Sequence, residues 1–251
     1  MSTIKVHYKY RTYSAQSLEI FILKEIYFSP PSKLNDPYDC QVSVRDGLRE
    51  AIENAIDTSS TTLLSRLERF QIIDHVYEQI EHDANSAGIF SLSRDPINVL
   101  MWSHYAANHT GFCVGFRLSD RFTTHNNTDG IAALSQVNYS AVNPFTIYFD
   151  ELAKSGHRPA WADFWSELLA IGMITKANSW AHEKEARIIR KHPGPVSFDA
   201  NEISEVIFGM NMPDSQRNVI RSLLSSREWN HIQFKEVKRS RGFNVELHNV
   251  T

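Results

Sequence analysis

The chain has 251 residues, of which 42% are hydrophobic and 22% charged, with a formal net charge of −3 at pH 7. These are ordinary globular values and exclude a wholly disordered chain. They also exclude a strongly basic nucleic-acid binder, so any such role falls to a local patch.

Residues 4–11, IKVHYKYR, alternate Ile4, Val6 and Tyr8 with Lys5, His7 and Lys9, which predicts a first strand. The opening MSTIKVHYKYRT has no apolar signal core. Ser14 reads as a helix N-cap, followed by Leu18, Ile22 and Leu23 on one helical face. IYFS reads as a short strand. SPPSKLNDPYDC, over Ser29–Cys40, predicts a stiff ordered loop: its prolines fix dihedrals, and Asn35 and Asp36 cap their own backbone. Residues 45–86 predict two or three inserted helices, with Leu63, Leu67, Phe70, Ile73, Val76 and Ile80 at three- and four-residue spacings.

IFSLSR reads as a strand with Ser91 and Ser93 on one face. Asp95-Pro96 is expected to open a helix, INVLMWSHYAANH, that Gly111 ends. GFCVGFRL reads as a central strand. Residues 119–132 form a polar loop, and LSQVNYS another strand. Positions 157–175 carry Trp161, Trp165, Leu168, Leu169 and Gly172 at helical spacing. EARIIR, EVIFG and either IQFKEVKRS or GFNVELHNV read as strands, with a helix starting at Pro213 and Asp214 between the last two. No run reaches the roughly 18 apolar residues of a membrane span. Two cysteines, Cys40 and Cys113, imply no disulfide framework and suit a reducing compartment. The expectation is a cytoplasmic protein with no membrane partner. It is a single α+β domain over 1–251, with a mixed, mainly antiparallel sheet and a helical insertion at 45–86.

Four short motifs carry candidate chemistry. In HEKEAR, a strand places Glu183, Glu185 and Arg187 on one face, with Ala186 and Ile188 turned into the core. Two neighbouring carboxylates repel unless a cation such as Arg187 sits beside them; a solvated strand face carrying an ion pair explains the motif equally well. In YKYR, Arg11 offers a fork for phosphate and Tyr8 and Tyr10 offer rings, although an amphipathic strand end would look the same. In NDPYD, Asp36 and Asp39 flank Pro-Tyr and suit a turn better than a metal, because no His partner is evident. In SLSRD, Ser93 and Arg94 can present donors to an anion where strand meets helix. His104 and His109 are five apart, the wrong spacing for a zinc helix, so no metal is expected. Trp102 and Tyr105 read as core, and Cys113 as inert. Lys235, Lys238, Arg239 and Arg241 form a small basic patch that also fits a solvated strand face. No Walker loop, GxGxxG, GxSxG or CxxC is present.

The ordered motifs YKYR, IYFSPPSKLNDPYDC, FSLSRDPINVLMWSHYAANHTGFCVGF, WAHEKEARIIR and EVIFGMN resemble a widespread bacterial family of uncharacterised domains, over about residues 7–212. LEIFILKEIYFS, SLSRDPINVLMW and EARII are also similar to DNA-targeting ADP-ribosyltransferase toxins of the DarT type. That second resemblance implies an ADP-ribosyltransferase-like fold with NAD as substrate, and a toxin or phage-defence role. It implies Glu185 as the catalytic residue, with Glu183 two before it. Arg11 or Arg94 would hold the dinucleotide phosphates, and Tyr8 or Tyr10 would pack beside nicotinamide. Ser93, Asn35 and Asp36 complete the residues expected around the dinucleotide. The acceptor, whether DNA, RNA or protein, stays open, as does an antitoxin partner. The sequence departs from that pattern where Arg187 replaces an apolar residue, where His7 lies on the opposite side from Tyr8, and in the NDPYD loop, which has no counterpart. A non-catalytic binding or regulatory module and a nucleic-acid-processing enzyme are the alternatives.

Overall fold

A computed structural model of the chain describes residues 5–55, 72–124, 130–155 and 159–250. The first strand, β1 (His7–Arg11), leads through Ser14 into α1 (Ala15–Ile22); the Ser14 hydroxyl accepts from the Ser17 N–H at 3.1 Å, as an N-cap should. β2 (Glu25–Phe28) precedes a 3-10 turn at Pro31–Lys33. Helices α2 (Val44–Asn54) and α3 (Ile72–Ser86) follow. Leu63, Leu67 and Phe70 of the expected insertion lie outside the described residues.

Next come β3 (Gly88–Ser93), α4 (Val99–Tyr105), β4 (Phe112–Phe116), α5 (Asp120–Thr123), β5 (Ile131–Gln136) and β6 (Asn138–Ser140). Then follow α6 (Pro144–Ser155), α7 (Trp161–Ile174), β7 (Thr175–Ala177), β8 (Glu185–Arg190) and β9 (Gly194–Ser197). The chain closes with β10 (Ile203–Phe208), α8 (Asp214–Leu223), β11 (Gln233–Arg239) and β12 (Val245–Asn249).

Eight strands form one sheet in the order β12-β11-β10-β4-β1-β3-β8-β5. Neighbours are antiparallel except β10 and β11, which are parallel and joined through α8, as a parallel pair requires a crossover. The α+β class and the mainly antiparallel, mixed sheet agree with the sequence reading. β4 is central, and its alternation is clear: Phe112, Val114 and Phe116 enter the larger core with Phe90, Phe208, Ile188 and residues of α1 and α8. Cys113 faces the other way, against Tyr10, Met101, Trp102 and Ile207 under α4. The helices α2 and α3 share a second core with α6 and α7, built on Val44, Leu48, Ile80, Phe145, Phe149 and Leu168. The inserted helices are therefore part of a helical layer, not an isolated appendage.

Several local expectations are corrected. The helix after β3 does not start at Pro96. Asn98 caps it, accepting from the Leu100 and Met101 N–H groups at 3.0 and 3.2 Å, while Asp95 holds a turn through the Ile97 N–H. It ends at Tyr105, before Gly111, because Ala107, Asn108 and His109 all take positive φ of 47°, 52° and 67°. Three consecutive non-glycine residues in that region are strained and need tertiary support. The His109 carbonyl supplies some, accepting from the Asn211 N–H at 3.0 Å. LSQVNYS breaks at Val137 into β5, in the main sheet, and β6, which pairs with β7 in a separate ribbon. The segment 119–132, expected as loop, holds α5 and the start of β5, and α6 was not expected at all.

A candidate active-site cleft

The cleft arises where the sheet parts. β1 matches β4 over five residue couples and β3 matches β8 over six. Between β1 and β3, only Tyr8 and Ser93 are paired. Further along the same edge of β3, Ile89 pairs instead with Ser29. This leaves the Ser91 carbonyl between the two contacts, and the Lys9 ammonium donates to it at 2.7 Å. A main-chain acceptor left by the split is thereby satisfied by a side chain. The opening is a cleft of about 250 Å³.

Its floor is a buried ionic network. Lys176 of β7 lies 2.6 Å from Glu183, 3.2 Å from Glu185 and 3.4 Å from Asp39. Arg187, fully buried, grips Glu185 with two nitrogens, Nε to Oε1 at 2.8 Å and Nη2 to Oε2 at 3.1 Å. It also donates to Asp39 at 2.6 Å, to the Met173 carbonyl at 2.9 Å and to the Cys40 sulfur at 3.2 Å. A planar guanidinium suits this forked, many-partner position better than an ammonium does. Tyr105 of α4 donates its hydroxyl to Glu183 and accepts from the Asn35 amide at 2.9 Å.

The backbone explains why two glutamates meet here. Glu183 belongs to a 3-10 turn, Asn178–Glu183, and not to the strand expected from HEKEAR. Lys184 follows with a left-handed backbone, φ 47°, and β8 begins at Glu185. Lys184 itself points outward to Asp95 at 2.8 Å, and its carbonyl receives the Arg94 N–H. The kink turns Glu183 and Glu185 toward one lysine, and within β8 the alternation sends Glu185 and Arg187 to the cleft face and buries Ala186 and Ile188 on the other, Ile188 in the larger core. Glu185 and Arg187 are buried, not a solvated strand face.

Burial alone would raise the Glu185 carboxyl; the Arg187 guanidinium, its hydrogen bonds and Lys176 override that and hold it well below the usual carboxylate range. Lys176 loses by burial and gains more from Glu185, Asp39 and Glu183, so it stays charged. Burial, and for Tyr105 and Tyr8 an acidic partner also, pushes the hydroxyls of Tyr8, Tyr10 and Tyr105 up, so all three remain neutral donors. Lys9 is different. Burial, assisted by Arg11, lowers it to about 7 despite Glu185 and Glu183 nearby.

Of the residues singled out from sequence, Tyr8, Tyr10, Asn35, Ser93, Glu183 and Glu185 all line this cleft. Tyr10 is mostly anchored elsewhere, donating to the Asp95 carbonyl at 2.6 Å and meeting Trp102 edge-on. Ser93 donates to the Glu183 carbonyl at 2.7 Å and so ties β3 to the turn. The others lie outside the lining. Asp36 is buried and accepts the Tyr38 N–H, closing the loop on itself. Arg94 is exposed and bound to the Lys184 carbonyl and Gln136. Arg11 is half-buried, and its Nε has no hydrogen-bond partner. Sequence reasoning missed Lys176, placed Tyr105 in the core and gave no role to Lys9. One signal was available for Lys176: a single lysine closing the apolar stretch LLAIGMIT.

Among the described residues, no group of three or more His, Cys, Asp or Glu is placed to hold a metal ion. None of their helices is long and apolar enough to cross a membrane. Cys40 and Cys113 are both free and buried.

Fold and cleft together define an α+β protein with a split, mainly antiparallel sheet and a buried ionic floor. Residues 101–188 match the family model described as "Protein of unknown function (DUF2971)". That stretch contains Tyr105, Lys176, Glu183, Glu185 and Arg187. No curated protein and no solved structure matches the chain.

Proposed function

We propose that the chain is an NAD-cleaving enzyme of the ADP-ribosyltransferase type, with Glu185 as its catalytic carboxylate. The observation that carries this reading is the charge of the cleft floor. Among the described residues, Asp39, Glu183 and Glu185 form ion pairs with Lys176 and Arg187 alone, so this paired network holds one formal negative charge in excess, beneath the neutral hydroxyls of Tyr8 and Tyr105. Such a floor suits a ligand that becomes cationic. Loss of nicotinamide from NAD passes through an oxocarbenium-like state on the ribose, as in glycoside hydrolysis.

A carboxylate has roughly four acceptor positions. In Glu185, Arg187 and Lys176 occupy three of them, through Nε, Nη2 and Nζ. The fourth faces the Ser91 hydroxyl, which a ribose hydroxyl would displace. The low proton affinity of Glu185 makes it an electrostatic stabiliser rather than a strong general base. Glu183, fixed by Tyr105 and Lys176, reinforces the negative field. The phosphates fall to the basic side of the cleft, where Lys9 and Lys33 line it. The acceptor is a nucleic acid or a protein.

Nicotinamide release from NAD, measured with DNA, RNA and protein acceptors, tests the reading. Glu185→Gln is expected to lower the rate by about 10²–10³-fold while the circular dichroism spectrum is kept. Wild-type protein that neither binds NAD nor releases nicotinamide with any of these acceptors would sink it. The alternative of a nucleic-acid-processing enzyme is disfavoured by the C-terminal strands: Lys235 pairs with Glu205 at 2.5 Å and Lys238 with Glu236 at 2.7 Å, so two charges of the basic patch are already answered.

A further inference from the structure

Among the described residues, the cleft lining holds two cations that its ionic network does not use, Lys9 within it and Lys33 at its rim. Lys176 and Arg187 both sit on carboxylates, but Lys9 makes no ion pair among the described residues. Its one hydrogen bond, to the Ser91 carbonyl, leaves two of the ammonium's three donors open. The Phe90 ring, 5.1 Å away, covers another side. Lys9 lies where β1 separates from β3, and it lines the opening. An unpaired ammonium in such a position is costly unless something negative enters.

We propose that Lys9 is the anion-binding group of the cleft and that it takes the diphosphate of a dinucleotide or of a related ligand. This rests on the reading above and deepens it by assigning the phosphate subsite. Lys33, exposed at the rim, supplies a second positive charge to the same ligand group. The charged groups acting on Lys9 are Arg11 and Lys176, which oppose its protonation, and Glu183 and Glu185, which favour it. The two glutamates are already engaged by Lys176, Arg187 and Tyr105, so neither closes on Lys9.

A proton linkage follows. Because Lys9 titrates at about 7, a large share of the free protein carries it neutral at physiological pH. A docked diphosphate favours the ammonium and raises its proton affinity. Binding therefore takes up a proton above neutrality and none in acid, where Lys9 is already charged.

Calorimetric titration with ADP-ribose, whose diphosphate diester is fully ionised across this range, in two buffers of different ionisation enthalpy, reads this directly; inorganic pyrophosphate, which exchanges a proton of its own near neutrality, serves as an affinity probe. Proton uptake should approach about one per ADP-ribose near pH 8 and fall toward zero near pH 5.5. Lys9→Met should weaken both probes by at least about tenfold, whereas Lys9→Arg should bind them, ADP-ribose with no proton uptake. Melting curves of the variants control for folding, and the uptake measured on wild-type protein stands even if Lys9→Met does not fold. Absence of pyrophosphate and ADP-ribose binding, ADP-ribose binding without proton uptake near pH 8, or unchanged affinity in folded Lys9→Met would each overturn the assignment. Pyrophosphate binding through Lys9 without NAD cleavage would retain the anion site and remove the transferase reading. NAD cleavage with an unchanged KM in Lys9→Met would do the reverse.

Discussion

Arg187→Met is the most direct test of the ionic floor. The substitution keeps much of the volume and deletes the guanidinium. Glu185 loses both bonds from its closest cation, Asp39 loses its 2.6 Å partner, and the Met173 carbonyl loses a donor, all in buried surroundings. Lys176 alone remains to balance three carboxyl groups. Breaking a buried pair from one side costs about 3–5 kcal/mol, because the remaining charge is stranded. For a chain of this size that corresponds to a fall in Tm of about 6–20 °C. Urea unfolding at pH 7 gives the free energy, and scanning calorimetry gives the Tm. The pH dependence carries a sign. The folded-state carboxyl of Glu185 sits below its unfolded value of about 4.3, so its stabilisation is complete above that value and is lost as pH falls toward the folded one. The gap between wild type and variant should be widest near neutrality and narrow in acid. A loss under about 1 kcal/mol at pH 7, or a gap that widens in acid, would refute the reasoning.

Two other perturbations probe neighbouring features. Gly209→Ala should destabilise by about 1–3 kcal/mol or more in a urea melt, because a Cβ there would lie 2.1 Å from the His109 carbonyl oxygen, backbone of the strained left-handed turn. A melt indistinguishable from wild type would show that the turn gives way freely. Tyr105→Phe removes the hydroxyl that links Asn35 to Glu183 in a half-buried position; a loss of about 1 kcal/mol is expected, and no loss would mean that water replaces the bond fully.

Much of the architecture could be read from local pattern. The alternation in β4 and the Ser14 cap are properties of a few adjacent residues, and both appear where the residues place them. Glu183 and Glu185 could be singled out because two acids two residues apart, with an arginine two further on, share one face of a strand. Their geometry could not be read, because it depends on the left-handed backbone at Lys184, which a lysine does not advertise. The partners were illegible for a different reason. Asp39 and Lys176 reach Arg187 and Glu185 from separate loops and strands, and no periodicity records a contact between residues 148 positions apart such as Asp39 and Arg187. The extent of α4 was misjudged because its end is set by strain-bearing contacts with the Gly209–Met212 loop, a tertiary effect.

The sheet order bears on where this unit begins and ends. The stretch 101–188 contributes β4 and most of β8, yet in space β1 and β3, both from the first hundred residues, stand between them. Cut out alone, that stretch would keep β5 beside β8 but strand β4 with no neighbour, since β10 also lies beyond its end. The recognisable segment thus supplies three strands of the eight, and the two that join β4 to β8 come from the chain ahead of it.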